Sequence, residues 1–216
     1  MGLIVYLLYI VQHIVFMCGI LNVQFRIKWM RVAISVVALS LARLLQVYCA
    51  YNNSSFDLVY VLGVYVMPTI GVVSLFDKPF IKNVVKYWFA AFYIDIFYMP
   101  INALVSAVCD ILEPNVNDNL AIIIEAIMVL GAIWGVSYLL KENKRVAEWI
   151  KKVPTGYFVI AILCGGAASG IGSYLEFAVK DTNDRAQSVM SVLIFAFKMS
   201  VYLMCIGFVQ NIQKVQ

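Results

Sequence analysis

Six ionisable side chains interrupt otherwise apolar stretches of this chain: His13, Arg43, Asp95, Glu125, Glu176 and Lys198. On insertion scales, an Arg, Lys or Asp at the centre of a membrane helix costs about 2.5 to 3.5 kcal/mol. A group kept at that cost faces a bundle interior or water and finds a partner there. The chemistry open to such a set is recognition by charge and hydrogen bond, and Asp95 is expected to pair with Arg43 or Lys198. Helical spacing groups them further. Asp95, Tyr98, Asn102 and Ser106 recur every three or four residues and form one polar stripe. Arg43 shares a face with Gln46, His13 with Tyr6 and Tyr9, Glu176 with Ser169 and Ser173, and Lys198 with Ser191 and Tyr202. The candidate ligand-binding residues are therefore Arg43, Asp95, Lys198, Tyr98, Asn102, Glu125, Glu176 and His13. The same groups would also serve as a lock on helix register, with Glu125 and Glu176 as wetted helix ends.

Other chemistries lack their residues. One histidine and no HExxH pattern give no hydrolytic metal site. There is no GxSxG and no phosphate-loop motif; the run CGGAASGIGS lies inside an apolar stretch and reads as a helix-packing seam, as does Gly131–Gly135. The cysteines, Cys18, Cys49, Cys109, Cys164 and Cys205, form no CxxC, and only a Cys49–Cys109 disulfide stays open. A retinal Schiff base on Lys198 is disfavoured, because Ile194 stands one turn before it where an aspartate is usual. No cofactor, no metal and no enzymatic activity are expected.

The elements that must position these residues are membrane helices. The 216 residues are 63% hydrophobic and 13% charged, with a mean hydropathy of +0.90, against about 45–50% apolar and about 25% charged in a soluble domain. Seven stretches satisfy the roughly 20-residue requirement for a span: 2–21, 32–51, 58–76, 84–107, 119–140, 155–179 and 187–209. The expectation is an all-α integral membrane bundle of seven transmembrane helices, one membrane domain over 1–216, multi-pass in the cell membrane. Twelve of the sixteen Lys and Arg residues fall at or beside one set of loops (Arg26, Lys28, Arg31; Lys78, Lys82, Lys86; Lys141 to Lys152; Lys214). That asymmetry makes those loops cytoplasmic, the N-terminus outside and the C-terminus inside. The net charge of +4 needs no nucleic acid to explain it. Trp29, Trp88, Trp134 and Trp149 form an expected belt on the cytoplasmic side, and Pro68 and Pro100 are expected kinks. By depth, the polar groups and most tyrosines converge on a cavity that opens outward.

The opening, MGLIVYLLYIVQHIVFMCGILNVQFRIKWMR, with its first helix, short basic loop and second helix, resembles the N-terminal multi-span membrane region of GHKL-type sensor histidine kinases of Firmicutes, distantly like peptide-pheromone receptor kinases. The likeness covers the many-span layout of the whole chain and the wording of about its first thirty residues. It implies that the region senses an extracellular signal, with a peptide as the ligand class, a homodimer as the assembly and the bilayer as the surround. In such kinases the last helix continues into a cytoplasmic dimerisation helix bearing the phospho-acceptor histidine. This chain departs there: after FVQNIQKVQ no acceptor box and no ATP-binding domain follow, and His13 lies in a membrane stretch. The expectation is a sensor module without its kinase domain, relaying ligand binding through its last helix. The alternative is a small solute transporter or the substrate-binding membrane subunit of one.

Overall fold

A computed structural model describes residues 2–52, 58–77, 79–112, 118–142 and 153–179. All regular structure among them is helical. In chain order the elements are α1 (Gly2–Gly19), α2 (Trp29–Tyr51), α3 (Leu58–Val61), a π-helical turn (Leu62–Val66), α4 (Met67–Val73), α5 (Phe80–Tyr93), α6 (Asp95–Leu112), α7 (Asp118–Glu142) and α8 (Thr155–Val179). Among the described residues three segments are long and apolar enough to cross a membrane: Gly2–Gly19, Trp29–Tyr51 and Leu120–Glu142. Their outward faces carry Leu3, Ile4, Leu7, Val36, Val37, Leu44, Ile127 and Leu139, while Gln12, His13, Ser35, Asn83 and Ser137 are buried. Apolar outside and polar inside inverts the pattern of a water-soluble protein. It is the arrangement that hydrocarbon as solvent favours.

The expected spans 2–21, 32–51, 119–140 and 155–179 correspond to α1, α2, α7 and α8; the expected span 187–209 lies outside the described residues. The other two are not single α-helices. Within 58–76 the chain forms α3, the π turn and α4. Pro68 explains the change of register: its ring would clash with the carbonyl four residues back, and it has no N–H to give. The turn before it widens, so that Met67 donates to the Leu62 carbonyl, five residues back. The hydroxyl of Thr69 then donates to the Tyr65 carbonyl at 2.6 Å. The expected span 84–107 starts earlier, at Phe80, and is divided at Ile94. There the Ile94 carbonyl accepts from both Phe97 (3.0 Å) and Tyr98 (3.3 Å), a tightened turn that joins α5 to α6. Pro100 lies inside α6.

α1 is the central element. It packs along α7 and against α5 and α4, while α2 packs on α4 and the π turn, α5 on α8, and α6 on α7. The buried core joins Phe16, Met17 and Leu21 to Val72, Val73 and Phe76, to Tyr87, Ala90, Tyr93 and Ile94, and to Val129, Ile133, Phe158 and Ala161. Gly19 sits against the Ser137 side chain, so α1 and α7 approach closely there. The expected seam Gly131–Gly135 is not used: a Cβ at either position would meet nothing within 4 Å among the described residues. Small residues at that spacing permit close approach but do not supply the partner helix.

α1 ends because Asn22 adopts a left-handed φ of 50°, which lets the Val23 N–H reach back to the Met17 carbonyl at 3.0 Å. The loop that follows is riveted to the α4–α5 loop. Arg26 N–H donates to the Leu75 carbonyl (3.0 Å) and Asp77 N–H to the Gln24 carbonyl (3.1 Å), and Phe25 and Phe76 form an isolated antiparallel bridge. Asp77 receives Arg26 at 3.1 Å and Arg31 at 3.5 Å, and Arg31 also donates to the Phe76 carbonyl at 2.6 Å. The two arginines are not equivalent, since the Arg26 side chain is 51% exposed and that of Arg31 19%. Arg31→Ala is expected to lower stability by about 1.5 to 3 kcal/mol, the range for a hydrogen bond from a charged group. Arg26→Ala is expected to cost less than about 1 kcal/mol. Thermal unfolding of the two variants in the same detergent checks the order.

Candidate functional site

One face of α1, the C-terminal half of α2 and the irregular third segment enclose a partly open cavity of about 460 Å³. α1 contributes Gly2, Val5, Tyr6, Tyr9, Ile10 and His13, which recur every three or four residues and so share one side of the helix. Arg43 and Gln46, three apart, come from α2. Val64, Pro68 and Val72, each four apart, come from the π turn and α4. Tyr87 of α5 and Ile122 of α7 complete the wall.

The polar groups are concentrated where α2 meets the start of α1. The Arg43 guanidinium lies over the Tyr6 ring, 5.6 Å from its centroid, against the backbone of Gly2. It reaches Gln46 Oε1 only at 3.5 Å. Gln46 Nε2 donates to the Gly63 carbonyl at 3.1 Å. That carbonyl needs the donor for a reason set by the sequence. Met67 has given its N–H to Leu62, and Pro68 has none, so neither helical register serves Gly63. The Tyr6 hydroxyl donates to the Leu39 carbonyl at 3.0 Å and bridges α1 to α2.

Deeper along α1, the His13 ring lies between Tyr9 and Tyr87, with ring centroids 4.9 and 5.3 Å away. His13 Nδ1 is 2.8 Å from the Tyr9 carbonyl. A carbonyl can only accept, so Nδ1 carries the proton and, in the neutral ring, Nε2 is an acceptor. A second cavity of about 290 Å³ adjoins the first and shares Tyr9, His13, Val64 and Tyr87 with it; Tyr65, Trp88, Ala91 and Phe92 form the rest of its wall. Trp88, one of the tryptophans of the expected belt, stacks on Tyr65 at 5.7 Å as part of this wall. Trp29 and Trp134 are outward-facing, at 90% and 65% exposure.

Of the eight residues singled out from the sequence, the cavity brings together Arg43 and His13. Tyr98 stands behind it. Its hydroxyl donates to Gln12 Oε1 at 2.9 Å, and Gln12 Nε2 donates to the Ala126 carbonyl at 2.8 Å, which ties α6, α1 and α7 together. Asn102 is exposed, and Glu125 is half-buried on α7; neither lines the cavity. Asp95 is the first residue of α6, and Glu176 lies near the end of α8. The side chains of these two, and Lys198 altogether, are outside the described residues, and so is the expected pairing of Asp95 with Arg43 or Lys198. Among the described residues the cysteines are free, Cys49 and Cys109 included, and no group of three metal-ligating side chains occurs.

No protein-family model, curated protein or solved structure matches the chain. What the site can do follows from its own groups. A guanidinium, a primary amide, phenols and an imidazole, set in walls of Val, Ile, Pro and aromatic rings, form a pocket that holds an amphipathic molecule by a few directed contacts. Gln46, Tyr6 and Tyr9 carried a signal in the sequence, because each shares a helical face with Arg43 or His13. Gln12, Gly63 and Tyr87 carried none beyond being a polar, a small and an aromatic residue in apolar runs.

Proposed function

We propose that the chain is a membrane-embedded signal-sensing module: a seven-span bundle, N-terminus outside and C-terminus cytoplasmic, that binds an extracellular ligand in its polar cavity and relays the event through its last helix. The observation that carries this reading is the cavity itself. It gathers Arg43, Gln46, Tyr6 and His13 around about 460 Å³ and lies beside the segment whose helical register is broken ahead of Pro68. An irregular turn beside a pocket can repack between two states, and a ligand that prefers one state shifts the population toward it. The likeness of the opening residues to sensor-kinase membrane regions agrees with this, and a homodimer is the assembly that the likeness implies.

In this orientation Gly2, Arg43 and Val64 belong to the extracellular half and Trp29 to the cytoplasmic face. In a background with the native cysteines replaced, Val64→Cys is expected to react with a membrane-impermeant maleimide added outside intact cells. Trp29→Cys is expected to react only after the membrane is opened. Protection of Val64→Cys from both sides, or outside labelling of Trp29→Cys, would end this reading. The broken third segment and the divided α5–α6 segment also suit a solute transporter, whose discontinuous helices form midplane sites. Saturable uptake of a solute into proteoliposomes, lost on changing Arg43, would favour that second reading over sensing.

A further inference from the structure

Arg43 sets the chemistry of the ligand. Among the described residues the ion pairs join Arg26 and Arg31 to Asp77, and no carboxylate lies within ion-pair distance of Arg43. The guanidinium is half-buried and has the Gln46 contact at 3.5 Å and the Tyr6 ring as its polar company. A guanidinium has five N–H donors in a rigid fork, and Arg43 lines the cavity. The first turn of α1 lies against it, and the N–H groups there have no partners within their own helix. Both features favour negative charge at this end of the cavity. Below it the wall turns apolar and aromatic, with Val5, Ile10, Val72 and Tyr87.

We infer that the cavity takes an anionic head on Arg43 with an apolar or aromatic body behind it, and that the head is a carboxylate. This inference rests on the sensing reading of the same cavity and names its ligand class. One guanidinium matches one carboxylate, fork to fork. A phosphate dianion would call for a second cation, and among the described residues no other Lys or Arg lines either cavity. A ring or alkyl body then lies along the Tyr9–His13–Tyr87 face, where offset stacking is available. Its far end points toward the second, mostly aromatic-walled cavity.

The test uses an isosteric pair, 1-naphthylacetate and 1-naphthylacetamide, titrated against the full chain in phosphatidylcholine nanodiscs. The acid is expected to bind about tenfold or more tightly than the amide, the fold-change that corresponds to a charge-assisted hydrogen bond. Arg43→Gln is expected to abolish that preference by weakening the acid alone. Unchanged amide binding shows that the variant's pocket is intact, and Arg43→Lys is expected to restore part of the preference. Equal affinities in the parent protein, binding of neither probe, or a preference that survives Arg43→Gln would overturn the inference. The sensing reading would stand or fall separately, on the labelling of Val64→Cys. A free fatty acid offers the same head and body. If lipid is the natural source, adding oleate to the nanodiscs lowers the acid's apparent affinity. If the source is an aqueous carboxylate, that affinity is unchanged. Either result keeps the anion site and identifies what fills it.

Discussion

Gly63→Val is expected to cost about 3 kcal/mol or more, a fall of roughly 6 to 12 °C in Tm for a chain of this size. A Cβ at position 63 would stand 2.7 Å from Leu45 Cβ, 3.3 Å from the Gln46 nitrogen and 3.4 Å from the Leu45 carbonyl carbon. Two of those neighbours are backbone and cannot swing aside. α2 would have to back away from the π turn, and the Gln46–Gly63 hydrogen bond would be lost with it. Separation of these two walls also opens the cavity, so ligand binding fails together with stability. Gly131→Ala is the contrasting case. Among the described residues nothing lies within 4 Å of its added carbon, and alanine is the better helix former by up to about 1 kcal/mol. That variant is expected to be neutral or slightly stabilising. Thermal unfolding of both in one detergent decides the matter. If Gly131→Ala proves as damaging as Gly63→Val, something covers that face of α7, whether a second copy or residues outside the described ones.

The contrast between these two glycines shows what the amino-acid sequence could and could not disclose. Apolar runs about a span in length are legible because lipid demands them, and four of the seven expected runs correspond to single α-helices here. The Arg43–Gln46 and Tyr6–Tyr9–His13 faces were legible too, since helical periodicity is local and puts polar groups on one side whatever the partner. Which glycines touch a neighbouring helix is not local. Gly131–Gly135 has the packing spacing and meets none of the described residues, whereas Gly63, with no such spacing, lies on the backbone of α2. Pro68 announced an irregularity but not its form. A kink and a π turn both relieve the proline ring, and the choice leaves the Gly63 carbonyl to Gln46, a side chain 17 residues away. Tyr87 and Trp88 reached the cavities through the way α5 sits against α1, which periodicity within α5 could not reveal.

Gln12 is the second site where a large effect is expected, and there the outcome depends on the partner. The side chain is fully buried, and it accepts from the Tyr98 hydroxyl while donating to the Ala126 carbonyl. Gln12→Leu keeps most of the volume but removes this acceptor from the partly buried Tyr98 hydroxyl. The expected loss is about 1 to 3 kcal/mol. The Ala126 carbonyl contributes less to the loss, because it stays within the continuous ladder of α7. Tyr98→Phe alone leaves Gln12 Oε1 without this donor and is expected to cost a similar amount. The double variant is the informative one. With both polar ends gone and the shapes kept, it is expected to lie closer to the parent than the sum of the single changes, with a coupling of about 0.5 to 3 kcal/mol. Strict additivity in unfolding measurements would mean that the Tyr98–Gln12 bond does not hold α6 to α1. If the coupling is found, the network behind His13 is a structural clamp, and Tyr98 acts on the cavity by fixing the helix that carries His13 rather than by touching what binds there.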